Sequence, residues 1–401
     1  MAGQRSPMET GRRLLLVALG AMFVQQSFAT LGRNLPPVIA PAILEDLQLD
    51  PALLGVYVGT VAFAALVVQL GCGSFIIRHG ALRMSQVSLV LLALALAVAT
   101  LPALAFFAFS AVLCGAGSAL STPSSSHLLG RYATAKQAPL VFSIKQTAVP
   151  AGLLLSGLIG PLLTGWWGWR VAMLCGAAGC LAFAIAMQPL RRSFDDDRVP
   201  SQAFRLSDLH RTLGAVTRER DLRNLALACG TFSGLQSAFI AFFVTYLVAQ
   251  GQELAAAGAF FSAATLVAVP GRILWGWLAG AHVAPGRLLG LLAIGMGASG
   301  LLLGLSGALD SAPLLAVATL GMSITALSWH GVLLAEAARL APAGQRGAAT
   351  GGVLSFGQVG GMVAPLVFAV LLGLTGSYGA GFAASALPSL AVGIAMLRSR
   401  G

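Results

Sequence analysis

Charge is what this 401-residue chain has least of. Aspartate, glutamate, lysine and arginine make up 9% of it, against about a quarter in a soluble globular domain. So few polar groups cannot cover the surface of a water-soluble fold of this size. Lysine is nearly missing: Lys136 and Lys145 stand against 22 arginines. Five cysteines are present (Cys72, Cys114, Cys175, Cys180 and Cys229). None pairs with histidine at metal-ligand spacing, so no metal is expected and the thiols are read as free and buried. No Gly-x-x-x-x-Gly-Lys-Ser/Thr loop occurs, which excludes an ATP-driven motor within the chain. No nucleophile–base pair stands at workable spacing, so neither an enzyme nor a cofactor is expected. The net charge of +11 is scattered between apolar stretches and forms no continuous face, so nucleic acid is not an expected partner.

What is present is apolar length. Hydrophobic residues make up 57% of the chain and the mean hydropathy is +0.86. The apolar runs are about 20 residues long, enough to span a bilayer as helices. They do not alternate at period two, which argues against a closed barrel. The first run has no small-residue cleavage site after it and reads as a retained span. Twelve transmembrane helices are predicted: 14–40, 52–77, 84–100, 104–130, 140–165 and 171–188, then 224–250, 254–280, 288–307, 312–338, 347–373 and 378–397. Between the sixth and seventh lies one long polar interval with eight arginines and six acids. The chain therefore divides into residues 1–188, a six-helix half, 189–223, a linker, and 224–401, a second six-helix half.

Twelve spans put both termini on one side, and the cations choose which. Arg5, Arg12 and Arg13 lie in the tail, Arg78 and Arg83 in the second turn, and Arg131 and Lys136 in the fourth. With the linker arginines, Arg287, Arg339, Arg346, Arg398 and Arg400, one set of turns holds 20 of the 24 cationic residues. The opposite turns hold Glu45, Asp46, Asp50, Glu253 and Asp310, and of cations only Arg170. The termini and linker are thus expected in the cytoplasm. The arginine bias is that of a GC-rich bacterial genome, so the expected site is the cell inner membrane.

The halves also repeat. At an offset of about 203, Gly55 falls on Gly258 and Gly73 on Gly276; at 204, Gly157 falls on Gly361 and Pro161 on Pro365. Two pseudo-symmetric six-helix halves are expected. The same offset relates Arg33 to Gln236, Gln69 to Arg272, and His127 to His330.

Over nearly its whole length the chain resembles a major facilitator superfamily transporter. Gly73, Arg78, Gly80 and Arg83 match that family's gate motif between helices 2 and 3, with Ile77 where the motif has aspartate. An echo without the acid runs from Gly271-Arg272 through Gly276 to Gly280, and Gly168-Trp169-Arg170 is similar to the family as well. Gly271-Arg272 resembles the oxalate–formate exchanger and monocarboxylate porter branch, in which an arginine there binds the substrate carboxylate. Where the oxalate branch has a helix 11 lysine, this chain offers Gln358, which disfavours so compact a dicarboxylate. The resemblance implies an all-α major facilitator fold, with helices 1, 4, 7 and 10 lining a central cavity.

Ionisable groups inside spans are costly and mark functional positions. Here they are Arg33, His127, Lys145, Arg272, His330 and Glu336, and one of the six is acidic. Unpaired buried cations call for an anion, and arginine's planar fork suits a carboxylate. Arg33 and Arg272 are the expected clamps, with Gln236, His330, Lys145 and Gln358 as further substrate contacts. Arg272 has a second reading, as a gate residue bonding carbonyls. His330 and Glu336 are the groups able to couple a proton; Arg131 and His127 stand near the gate, Glu336 being a partner for Arg131 or Arg339. The expected function is alternating-access transport of a small organic anion, with a co-transported proton as a possible second cargo, by a monomer in the bilayer. The rival is a proton-coupled drug or metabolite efflux antiporter. Gly157, Gly160-Pro161 and Gly165 favour it, but the first-half spans lack the acid it would use.

Overall fold

The computed structural model describes residues 7–134, 137–203, 214, 216–341 and 346–398. Arg5, Lys136, Arg205, Asp208, Arg211 and Arg400 lie outside the described residues, as do the side chains of Arg12 and Arg346. Among the described residues there is no strand. The first half comprises α1 (Pro7–Val38), α2 (Ala40–Asp46), α3 (Leu53–His79), α4 (Ala81–Val98), α5 (Leu104–Tyr132), α6 (Ala138–Gln146), α7 (Ala148–Trp167) and α8 (Trp169–Ala186). A short α9 (Arg191–Phe194) opens the linker. The second half comprises α10 (Arg220–Ala249), α11 (Leu254–Ala281), α12 (Pro285–Ala308), α13 (Ala312–Ile324), α14 (His330–Leu340), α15 (Arg346–Thr375) and α16 (Tyr378–Arg398). Among the described residues, eleven segments are long and apolar enough to cross a membrane, one of them running through α6 and α7. The twelfth crossing is split into α13 and α14. The protein is an all-α, multi-pass membrane protein of twelve crossings.

Two expected helices are broken, each for a local reason. In the fifth, Pro150 has no N–H to give the Gln146 carbonyl four residues back, and the chain kinks at Thr147, whose hydroxyl bonds the Ile144 carbonyl at 2.6 Å. In the tenth, Thr325 donates back to the Gly321 carbonyl, and Ser328 donates to the carbonyls of Ser323 and Ala268 at 2.9 and 3.1 Å. Such hydroxyls compete with the helical ladder, and residues 325–329 leave it.

Within each half the helices pack closely, α3 on α5 and α1 on α7 in the first, α12 on α16 and α10 on α15 in the second. The halves meet mainly through α3 with α15 and α7 with α11, two contacts that the sequence repeat exchanges. The face bearing the termini is here the terminal face. At the other, the opposite face, glycines allow backbones to touch. A Cβ on Gly55 would strike the Pro365 carbonyl, and one on Gly258 the Gly157 carbonyl. Their neighbours on the terminal side, Gly73 and Gly276, meet nothing within 4 Å. The halves are therefore pressed together at the opposite face and splayed at the terminal face. Trp166 and Trp167, exposed at one rim, and Trp277 near the other fit aromatic belts at the membrane boundaries.

The linker is not a loose tether. Val199 N–H donates to the Ile77 carbonyl at 2.8 Å. Asp195 accepts the N–H groups of Leu82 and Arg83 at 2.8 and 3.0 Å, capping α4, and fills the space where Gly80, at φ +94°, would carry a Cβ. The acid missing from the turn at Ile77 thus arrives from the linker, although to the α4 backbone. Asp195→Ala is expected to cost about 1–2 kcal/mol, the worth of a helix N-cap, read as a lowered midpoint of thermal unfolding. At the opposite face the lone cation Arg170 pairs with Asp46 at 2.7 Å, beside the Trp169 indole N–H, which donates to the same oxygen at 3.0 Å. The Trp169 indole and the Arg170 guanidinium together hold the Asp46 carboxyl below its ordinary range.

Candidate functional site

A cavity of about 260 Å³ lies between the halves. Five of the six expected substrate contacts line it: Arg33 on α1, Gln236 on α10, Arg272 on α11, His330 on α14 and Gln358 on α15. Gln69, the repeat partner of Arg272, lines it too and accepts a 3.0 Å hydrogen bond from the Gln358 amide. No aspartate or glutamate lines the cavity among the described residues.

Arg272 is held by the two helix breaks. Its Nη1 donates to the Gln146 carbonyl at 3.0 Å, the group that Pro150 leaves without a helical donor. Its Nε donates to the carbonyl of Leu327, in the gap between α13 and α14, at 2.9 Å. In the same gap the Ile324 carbonyl accepts from the Trp275 indole. One guanidinium thus satisfies a stranded carbonyl in each half. Of its five N–H groups these bonds use two, and the fixed plane leaves Nη2 and the second Nη1 hydrogen for a ligand. The carbonyl-bonding and anion-clamp readings are compatible. Arg33 is tied more loosely, its Nη1 donating to Ser118 Oγ at 3.3 Å. His330 stacks on Trp329 with ring centroids 3.7 Å apart, and its Nδ1 is buried without a hydrogen-bond partner.

One expectation is corrected, and the groups expected near the gate take definite partners. Lys145 does not line the cavity: it is 1% exposed and its Nζ has no partner. Successive helical residues point about 100° apart, so the turn that brings Gln146 to the cavity takes Lys145 away from it. Glu336 pairs with Arg339, one of its two expected partners, three residues along α14, at 2.7 and 2.8 Å. Arg131 instead binds the linker, through Asp196 at 2.6 Å, Asp197 at 2.8 Å and the Phe194 carbonyl at 2.8 Å. His127 joins Asp197 at 2.9 Å, and so parts from its repeat partner His330. Glu336, Arg131 and His127 are all absent from the cavity lining. Of the gate motif, Gly73 and Arg78 are exposed, Gly80 is buried against Asp195, and Arg83 reaches Gln86 at 3.3 Å. Gln26, Asn34, Tyr57, Ser118 and Thr122 also line the cavity and were missed. The readable signal was the Gln25-Gln26 pair inside a membrane span, where unpaired amides are costly; both accept from Ser121, at 3.0 and 3.1 Å.

No curated protein matches the chain. Solved structures do. A bacterial homolog of the human lysosomal transporter Spinster, inward-facing and occupied, is 15% identical with a TM-score of 0.72, over 95% of this chain and 94% of that one. A POT family transporter in complex with a thioalcohol-conjugated peptide is 14% identical with a TM-score of 0.77, over 97% and 96%. The peptide transporter POT in complex with sulfate is 16% identical with a TM-score of 0.73, over 96% and 94%. At these identities the likeness is one of fold. In sequence, residues 22–365 match the family model for the Major Facilitator Superfamily. That match takes in most of both halves and the linker between them, and the chain belongs to the Major Facilitator Superfamily.

Proposed function

We propose that this transporter moves a small organic anion, a carboxylate, by alternating access, as a monomer in the bacterial inner membrane. The observation that carries the proposal is the pair Arg33 and Arg272 lining one cavity with no acid among its described lining residues. A cavity so lined would hold an unbalanced positive charge until an anion enters it. Arg272 is pre-oriented by its two carbonyls, which lowers the ordering cost of clamping a carboxylate, and Gln236, His330 and Gln358 supply neutral hydrogen-bonding groups. This reading places the chain with the monocarboxylate porter branch, although Gln358 replaces the oxalate branch's lysine. Residues 1–188 and 224–401 act as the two rocking bodies, joined by 189–223. The arginine-rich terminal face is cytoplasmic, so the splayed end opens inward. His330 is the cavity group that can carry a proton.

Thermal stabilisation tests the class without assuming a direction of transport, because a ligand stabilises as the logarithm of its saturation. Purified protein is screened against small carboxylates, inorganic anions and lipophilic cations. Carboxylates are expected to raise the midpoint. Arg33→Ala is expected to weaken them about 10- to 100-fold, the worth of a hydrogen bond to a charged group. A shift with cations alone would replace this reading by drug efflux.

A further inference from the structure

A second cavity, of about 210 Å³, lies beside the first, among α1, α2, α3 and α5. Its walls are hydrocarbon, Pro36, Leu44, Leu54, Phe107 and Ala108 among them. Its two hydroxyls are already engaged. Thr60 Oγ1 donates to the Val56 carbonyl at 2.8 Å, and the Tyr57 hydroxyl pairs with Ser110 Oγ at 3.3 Å. A polar ligand would lose its hydration there and gain nothing, so the occupant is an apolar chain. Tyr57 lines both cavities. Arg33 stands close by: it lines the first cavity together with Tyr57, and its carbonyl accepts from the Cys114 thiol at 3.9 Å. A cation and an apolar chamber thus flank one tyrosine.

We propose that the substrate is an amphipathic monocarboxylate, its carboxylate on Arg33 and its unbranched apolar chain passing Tyr57 into the second cavity. This rests on the carboxylate reading above and narrows it. A molecule short enough to stay in the first cavity leaves the chamber unused; one with a chain fills it. The chamber also opens at the membrane-facing residues Val56 and Leu104, 48% and 57% exposed, so a phospholipid chain is the competing occupant. Tyr57, which lines both this chamber and the cavity holding Arg33, favours the substrate.

The test is equilibrium binding of straight-chain monocarboxylates, from acetate to decanoate, to the full chain in lipid nanodiscs, with alcohols of equal length as controls. Affinity is expected to rise about fourfold per methylene, the step that burying one supplies, and the alcohols are expected not to bind. Ala108→Trp and Val56→Trp fill the chamber from its exposed rim and leave the packed core alone. Either is expected to bring the octanoate-to-acetate affinity ratio towards one. A flat series in the wild type, or a rising one that neither variant alters, overturns the inference and leaves the carboxylate reading standing. A ratio unchanged while the variants alter the phospholipid retained overturns it in favour of lipid. Failure of every acid, acetate included, overturns the carboxylate reading itself.

Discussion

A Gly55→Leu chain is expected to lose transport completely while remaining folded. In the present state Gly55 lies against the Pro365 carbonyl and the Ala369 methyl, on the seam that shuts the opposite face. Backbone cannot yield as a flexible side chain does, so a leucine there forbids that closure. The halves can still part at this seam, and the variant is expected to rest with its cavity open to the opposite face. Gly73→Leu is the reverse case. Gly73 meets nothing within 4 Å, so leucine fits the present state; closing the terminal face would bury it. Both variants should be inactive, in opposite postures. A cysteine replacing the cavity residue Ser237, in a background without native thiols, reads the posture. An impermeant thiol reagent is expected to reach it from the terminal face in Gly73→Leu and from the opposite face in Gly55→Leu. A Gly55→Leu protein that transports normally would contradict the reading of this seam as a gate.

Arg272→Ala is expected to be the most damaging single change in the cavity, through two separable effects. Carboxylate affinity should fall about 10- to 100-fold with the loss of a charged donor. Stability should also fall by about 1–3 kcal/mol for each buried carbonyl left without a donor, here those of Gln146 and Leu327. Pro150→Ala separates the two effects. Alanine restores an N–H four residues beyond Gln146, so that carbonyl regains a helical donor whether or not Arg272 is present. In the double variant part of the lost stability is expected to return, and the lost affinity is not. Coupling of this sign between sites on different halves is what a double-mutant cycle measures. Recovery of binding in the double variant would show that Arg272 acts only by fastening the halves, without touching the substrate.

The crossings were legible in the sequence because apolar runs of bilayer length have one stable conformation in lipid. Even the split tenth helix was placed to within a few residues at its ends. The breaks were not foreseen, although Pro150 and the Ser323, Thr325 and Ser328 hydroxyls were in view. In a membrane helix proline and serine are commonly tolerated, and only the neighbouring Arg272 shows which carbonyls were freed. The repeat pairs Arg33 with Gln236 and Gln69 with Arg272, and all four line one cavity, because pseudo-symmetry carries position as well as composition. His127 keeps to the gate end of its helix, where Asp197 of the linker, which has no copy in the other half, holds it. Lys145 was misplaced because residue type says nothing about which flank of a kinked helix a side chain takes. The acids Asp195 to Asp197 stand in the sequence as part of a polar linker; their partners Leu82, Arg83 and Arg131 lie far off in the chain and become visible only in the fold.

Counterflow in proteoliposomes tests anion transport most directly. Vesicles loaded with an unlabelled monocarboxylate are diluted into the same acid in labelled form, so that no coupling ion or transport direction need be assumed. Transient, saturable accumulation of label is expected with wild-type protein and not with Arg272→Ala. Wild-type vesicles that exchange no carboxylate, but do exchange a lipophilic cation, would contradict the anion reading and leave the fold and family in place.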